Sequence, residues 1–491
     1  MSKRFVVASN RLPVRIEHQP EGWCLRPGSG GLVTALVPVM SRTRGLWIGW
    51  PGCGPDVPVD SLLQQFSAQH SYDLRAIPLT EAEEQGYYRG FANEALWPLF
   101  HDLLGYCRFE LADWAMYERV NERFAGVIAS EARADDFIWI HDYQLLRAGH
   151  YLRRMRSDAA IALFLHTPFP SPDLFRRLPW SDDILEGMLA HNVLGFQTLR
   201  DRRNFVACVR EFVPDTEIEV GRRYTRLALG NRIVHVGHFP ISIDFDEFDS
   251  GARSPEVARA ASQLREGYLA RQLILGLDRL DYTKGIPERF LAFERALEKY
   301  PDLLGNVSLI QVVVPSRTHV PDYRDLKSEI DGLAGRVNGR FSRDGWVPIH
   351  YYYRALSRND LLAHYRACEI AFITPLRDGM NLVAKEYCAS TVDGNGVLIL
   401  SEFAGAADQF CAGALCVNPF DREKTADAIH RAFVMPPDER KQRMKDLRAE
   451  VRRNDVHRWL GWITALIDEE QAAPEGHPNR AGISQGHHIE L

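Results

Sequence analysis

PLRDGMNLVAKEY, residues 375–387, is the stretch from which the fold is read. It follows a short, β-branched apolar run at 370–374, IAFIT, of the kind that forms a buried parallel strand. Arg377, Asp378 and Gly379 come next, and good helix formers occupy 382–389. A strand, a tight polar turn with glycine and a helix start bring backbone N–H groups to the positive end of a helix, a setting that suits an anion such as a phosphate. Asp378 stands at the mouth of the turn and Glu386 lies four residues after Leu382. One carboxylate can reach a sugar-like ligand while the other holds a second part of it. Taken alone, the same residues equally describe a capped helix start with Glu386 merely solvated.

The rest of the chain supplies the context. At 491 residues it is long enough for two or more domains, each with its own core. A net charge of −6 argues against a nucleic-acid or membrane-surface protein, so local clusters of basic residues need a local explanation. No stretch approaches the roughly 18 consecutive apolar residues of a membrane span, and the apolar run at 5–8 is too short for a signal-peptide core. The eight cysteines are scattered without a C-x-x-C pair, and several, such as Cys368 and Cys388, lie in apolar contexts that suit buried free thiols. A reduced, cytoplasmic location is expected.

Residues 5–8 read as a first strand running into Ser9, Asn10 and Arg11, an arginine at the exit of a parallel strand. Gly28-Ser29-Gly30-Gly31 opens a helix at 32–40. A dinucleotide fingerprint would need glycine where Val33 stands, and some twenty residues separate the turn from the first strand. A flexible turn letting the backbone approach a ligand fits better. LWIGW at 46–50 is a strand ending in Trp50, and Tyr88 and Trp97 follow after a polar stretch. Each aromatic suits a core, yet Trp50 and Tyr88 also offer flat amphipathic surfaces on which sugars stack.

A long amphipathic helix is expected at 112–132. Strands at 136–140, 161–165 and 193–196 then exit through Asp142, His166 and Gln197. Alone, His166 reads equally as a hydrogen-bonded core histidine; the repetition of polar exits points to a doubly wound sheet with a site at its carboxyl edge. The polar segment ISIDFDEFDSGARSPE at 241–256 is read as an interdomain linker, with its Asp-x-Asp at 244–246 solvated. His235 and His238, three apart on a strand, point to opposite faces and do not suggest a metal site.

The alternation restarts with a strand at 273–277, leaving through Asp278-Arg279-Leu280-Asp281-Tyr282-Thr283-Lys284-Gly285, and a helix begins near Pro287, a fitting first-position proline. Arg279 and Lys284 make a cationic clamp suited to a diphosphate, or else pair with Asp278 and Asp281 as a surface network. A strand at 307–314 is followed by Arg317, a third arginine at a strand exit. Strands at 350–353, 370–374, 397–400 and 414–417 complete a second sheet. The tail from 472 has little to bury and is expected to be disordered. The expected domains are 1–246, 247–471 with a last helix packing back on the first domain, and the tail at 472–491.

Two α/β halves with polar strand exits imply a cleft between two Rossmann-like, doubly wound domains, the glycosyltransferase B fold. The chain resembles the trehalose-6-phosphate synthases among the retaining nucleotide-sugar glucosyltransferases. The likeness runs from Ser9-Asn10-Arg11 through SGGLVTAL, LWIGWPG, WIHDYQLL, FLHTPFPS, LGFQT, RLDYTKGIPERFLAFE, VPSRTHVPDY and TPLRDGMNLVAKEY to SEFAGAA. It implies that Arg279 and Lys284 bind the diphosphate of UDP-glucose. Gly379, Met380, Asn381, Leu382 and Val383 would meet the donor through their backbone, with Gly31 approaching from the other domain. Glu386 would hold the ribose and Asp378 a hydroxyl of the transferred glucose. It further implies His166 over the donor sugar and Asp142 at the acceptor hydroxyls. Arg11 and Arg317 would grip the phosphate of glucose 6-phosphate, with Trp50, Tyr88 and Trp97 around this acceptor. The resemblance implies that Asp142, His166, Arg279, Lys284 and Asp378 form the catalytic set.

Neither a cofactor nor a metal is expected, and a homo-oligomer is. Ser242 and Thr167 depart from residues common in the family, which leaves room for glycerol 3-phosphate or a cyclitol phosphate as acceptor. A glycoside hydrolase would account for two carboxylates but not for the cations. A silent sugar-phosphate sensor would have lost clamp or carboxylate residues, and this chain keeps them.

Overall fold

The structure, a computed structural model, describes residues 3–20, 22–28, 31–54, 56–317 and 320–472. The described residues divide into two compact units, one of residues up to 240 together with those from 460 on, and one of residues 241–459.

The first unit is built on strands β1 (Phe5–Arg11), β4 (Leu46–Trp50), β5 (Asp73–Ala76), β6 (Phe137–His141), β7 (Ala160–Phe164), β8 (Val193–Phe196), β9 (Glu217–Val220), β10 (Tyr224–Leu229) and β11 (Arg232–His238). Strands β2 (Val14–Gln19) and β3 (Gly22–Pro27) form a separate antiparallel hairpin. The central strands are buried along their length, and their near-continuous apolar sequences are those of a sheet covered on both faces. The sheet order is β5-β4-β1-β6-β7-β8-β11-β10-β9. Connections therefore run outward one way from β1 through β4 to β5, and the other way from β6. The topological switch point lies between β1 and β6, which pair in parallel from Phe5↔Phe137 to Ala8↔Ile140.

The second unit repeats this plan. Strands β12 (Gln272–Arg279), β13 (Val307–Val314), β14 (Ile349–Tyr353), β15 (Ile370–Ile373), β16 (Val397–Ser401) and β17 (Leu415–Val417) form one parallel sheet in the order β14-β13-β12-β15-β16-β17. Its switch point lies between β12 and β15. Helix Ile286–Lys299 buries Phe290, Phe293 and Leu297 as expected, but it starts at Ile286, so Pro287 stands second. Gly285 caps it at φ 60°, and a Cβ there would lie 2.3 Å from the Thr374 carbonyl oxygen, which leaves glycine as the residue that fits.

Two expectations, the linker and the domain boundary, need correction. The segment read as a linker is helical: Asp244 caps helix Phe245–Arg253 by accepting from the Glu247 N–H at 3.0 Å, and Ser254 caps helix Pro255–Glu266. Phe245, Phe248 and Ala252 recur on one buried face, a helical signal hidden within a polar composition. The division thus falls between residues 240 and 241, not after 246. Cys411 and Cys416 form a disulfide, whereas Cys208, Cys368 and Cys388 are buried free thiols. The residues around Tyr88 form a π-helix, Glu84–Leu96, where such helices are ordinarily single-turn bulges. The last helix is Val456–Ala472, and its residues from Leu460 belong to the first unit. The expected disordered tail lies, from residue 473 on, outside the described residues.

Under the second switch point sits Arg289, fully buried. Its guanidinium pairs with Asp278 and donates to Gln311 Oε1 at 3.0 Å and Thr374 Oγ1 at 3.1 Å, joining β12, β13 and the exit of β15. Arg289→Ala leaves a buried carboxylate without its cation and is expected to cost about 3–5 kcal/mol. Replacing Arg289 by Met together with Asp278→Ala should cost less than the single change. Denaturant unfolding of the three proteins checks the order.

Candidate functional site

In each unit, many of the polar residues expected at the site follow the carboxyl ends of the strands at its switch point or of their immediate neighbours. In the second unit, Arg279 ends β12 with its side chain exposed. The chain then makes a short 3₁₀ turn, Tyr282–Lys284, started by Asp281, whose Oδ1 accepts from the Thr283 N–H at 3.0 Å. Lys284 Nζ reaches across the switch point to Asp378 Oδ2 at 2.6 Å. Both side chains are largely buried, so this pair is less screened than a surface ion pair. Of the surface-network alternative, the Asp278 half is set aside, because Asp278 is taken by Arg289, while Lys284 pairs with a carboxylate 94 residues away and also acts, with Arg279, on Asp281.

The turn after β15 is held from its far side. The Asp378 carbonyl accepts from the Gly405 N–H at 3.1 Å and the Met380 carbonyl from the Ala406 N–H at 2.8 Å. A Cβ on Gly405 would lie 1.9 Å from the Gly379 carbonyl oxygen, which gives the glycine of SEFAGAA its role. Asn381, at φ 73°, caps helix Leu382–Ser390 by accepting from the Ala384 N–H at 3.2 Å. No acidic residue stands in the first turn of this helix. The N–H groups of Leu382 and Val383 have no partner within it. The positive end of the helix thus faces the turn, where Asp378 Oδ2 accepts from the side chain of the capping Asn381 at 3.2 Å. Glu386 accepts from the Tyr365 hydroxyl at 2.7 Å, and burial pushes its carboxyl above the usual range. It is not a merely solvated helix residue.

Arg317, at φ 47°, donates to the Tyr323 hydroxyl and faces Asp281 Oδ2 at 3.4 Å. Burial pushes the Asp281 carboxyl up, but Arg317, Lys284 and Arg279 together outweigh it and hold the group below its ordinary value. A field of positive charge covers this edge of the sheet.

In the first unit, Arg11 ends β1 and Trp50 ends β4, opposite each other in register. The Arg11 guanidinium lies 4.0 Å from the centre of the Trp50 ring, and Tyr88 meets that ring edge-on at 5.8 Å. The resulting platform is cationic and aromatic. Trp97 is buried, 5.5 Å from the Tyr143 ring. Gly31 opens helix Gly31–Thr43, while Ser29 and Gly30 lie outside the described residues.

Asp142 leaves β6 at φ 74°, and its Oδ1 accepts from the His166 N–H at 3.1 Å. His166 lies between two neighbours: its Nε2 is 3.1 Å from His141 Nδ1, and its Nδ1 is 3.4 Å from Gln197 Nε2. Burial pushes the His166 imidazole down to about 3, and burial with His166 beside it pushes His141 well below its usual value. Both rings are neutral at physiological pH. His166 therefore offers orientation and a hydrogen bond, not charge. His141 and Gln197 were legible as the residues beside Asp142 and at the next strand exit; Arg289, Tyr365 and Gly405 gave no local signal. Among the described residues, no group of three or more His, Cys, Asp or Glu is placed to hold a metal ion.

Backbone strain gathers at the same places. Five described non-glycine residues have positive φ: Arg44, Asp102, Asp142, Arg317 and Asn381. The last three are expected site residues, and such conformations persist where the surrounding structure over-determines them.

The sequence profile of Glycosyltransferase family 20 matches residues 3–469. The chain belongs to this family. A bifunctional trehalose-6-phosphate synthase/phosphatase of Thermoproteus tenax is 40% identical over 484 residues, covering 96% of this chain. The chain spans 64% of that relative's length. The crystal structure of a UDP-forming α,α-trehalose-phosphate synthase from Burkholderia vietnamiensis superposes with a TM-score of 0.85 at 38% identity, covering 95% of this chain and 99% of that one. One from Burkholderia xenovorans in complex with glucose 6-phosphate gives 0.84 at 32% identity, covering 95% and 100%. The glycosyltransferase B fold expected from the sequence is therefore the fold of this family 20 chain. No described helix is long and apolar enough to cross a membrane.

The buried histidines set an acid limit on stability. His166 and His191 both have folded values of about 3, burial being the leading cause, against about 6.5 when unfolded. The unfolded chain binds more protons between these values, so stability is full above about pH 6.5 and falls as pH drops towards 3. Denaturation midpoints measured across this window should show that slope, and His191→Asn should flatten it.

Proposed function

We propose that this chain transfers glucose from UDP-glucose to glucose 6-phosphate with retention of configuration, forming α,α-trehalose 6-phosphate. The observation that carries the reading is the pairing of cations with carboxylates at the second switch point. Arg279, Lys284 and the positive end of helix Leu382–Ser390 suit a diphosphate, while Asp378 and Glu386 suit the hydroxyls at its two ends. Arg11 on Trp50, with Tyr88 beside it, suits a phosphorylated sugar. The names and ligands of the family 20 relatives agree with this assignment.

In this scheme the acceptor hydroxyl attacks the face from which the nucleoside diphosphate departs, and a leaving phosphate oxygen takes its proton. No carboxylate becomes a covalent nucleophile. Arg279 and Lys284 stabilise charge as it develops on the diphosphate, and neutral His166 orients the donor sugar without adding a competing cation. Asp142 orients the acceptor. The cationic pair does the work a metal does elsewhere, so added chelator should leave turnover unchanged.

Release of UDP should be rapid with UDP-glucose and glucose 6-phosphate, and slow with glycerol 3-phosphate or no acceptor. Release with glycerol 3-phosphate instead would reassign the acceptor while keeping the donor site. Arg279→Ala should fold normally, because its side chain is exposed, and lose about 100- to 1,000-fold in kcat, on the order of 3 kcal/mol. Normal turnover in that variant would remove Arg279 from the site.

A further inference from the structure

The second unit holds another concentration of positive charge that the transfer reaction does not use. A cavity of about 390 Å³ lies against helix Pro437–Arg453 and is lined by Lys441, Lys445, Arg448 and Arg452, with Phe245 and Asp393. The spacings of four, three and four place these cations on one helical face. Like charges so placed repel by a few tenths of a kcal/mol per pair, and the chain as a whole is acidic, so the stripe needs an offset.

Part of that offset is visible. Arg448 pairs with Asp249 and donates to the carbonyls of Cys388, at 3.0 Å, and Ala389. Arg452 lies over the Phe245 ring at 4.3 Å, with Asp246 Oδ1 3.9 Å away. Lys441 and Lys445 are exposed and have no hydrogen-bond or ion-pair partner among the described residues. Asp393 is the one acidic residue among those lining the cavity.

We infer that this cavity binds a phosphorylated small molecule, its phosphate held by Lys441 and Lys445 with Arg448 behind them. The volume lies within the range of small-ligand pockets, and clustered cations suit a dianionic phosphate better than a single carboxylate. A long nucleic-acid strand is disfavoured by the net charge of −6. Through Arg448 the cavity is joined to the C-terminal carbonyls of helix Leu382–Ser390, whose other end carries the Asp378 turn.

Titration calorimetry of inorganic pyrophosphate into the full chain and into Lys441→Ala/Lys445→Ala tests this. Neither lysine belongs to either strand-exit cluster, so the difference between the two isotherms reads the cavity alone, whatever reaction the chain catalyses. The expected result is a saturable site in the parent chain that weakens at least tenfold in the variant, with an unchanged melting temperature. Should the double variant not fold, Lys445→Gln alone should weaken the site at least threefold. Identical isotherms, or no saturable binding to the parent chain, would overturn the proposal.

Discussion

The Arg289–Asp278 pair is the constraint on which the second unit's site rests. A guanidinium with no exposed surface has to find a counter-charge and further acceptors, and the strands around it supply them. Those partners lie on β12, β13 and the exit of β15, so one cation fixes the relative heights of three strand ends. Above it, the Leu376 N–H donates to the Thr283 carbonyl at 2.8 Å, and Gly285 sits against the Thr374 carbonyl. Lys284 and Asp378 meet because the two loops carrying them are tied together at these points.

The first unit solves a different problem. Its strand exits carry fewer formal charges and more rings, and its histidines are held neutral by burial. Asp142 takes a left-handed backbone conformation and receives the His166 N–H, so the exits of β6 and β7 position each other. The π-helix Glu84–Leu96 adds a second device. Tyr87 in it donates to Asn10 Oδ1 at 3.1 Å, and Asn93 accepts from the Tyr143 hydroxyl at 2.8 Å, which anchors the element that carries Tyr88 to the exits of β1 and β6.

Much of this was legible in the sequence because strand exits announce themselves. An apolar run of four or five residues followed by Asp142, His166 or the 375–387 stretch needs only a period and a polar break to be read. Arg279, Lys284 and Asp378 were found in that way, and Asn381 through the family resemblance. What could not be read was whatever depends on a distant partner. Nothing near Arg289 says that Asp278, Gln311 and Thr374 converge on it, and Gly405 looks like any loop glycine until the Gly379 carbonyl is placed against it. The helix Phe245–Arg253 was hidden by its acidic composition, although Phe245, Phe248 and Ala252 hold the right spacing. Cys411 and Cys416, five residues apart, match no familiar pair motif.

The Lys284–Asp378 contact bears on how a ligand is chosen. The two groups meet in a largely buried place, where Asp378 Oδ2 also accepts from Asn381 Nδ2 at 3.2 Å. A ligand fragment that recruits the lysine alone takes from the carboxylate its ion pair, and one that recruits the carboxylate alone takes the same ion pair from the ammonium. Either half-ligand therefore carries a penalty that a molecule offering both a phosphate and a hydroxyl avoids. On the proposed assignment, the contact would favour a molecule that carries both chemical features over one that carries either alone.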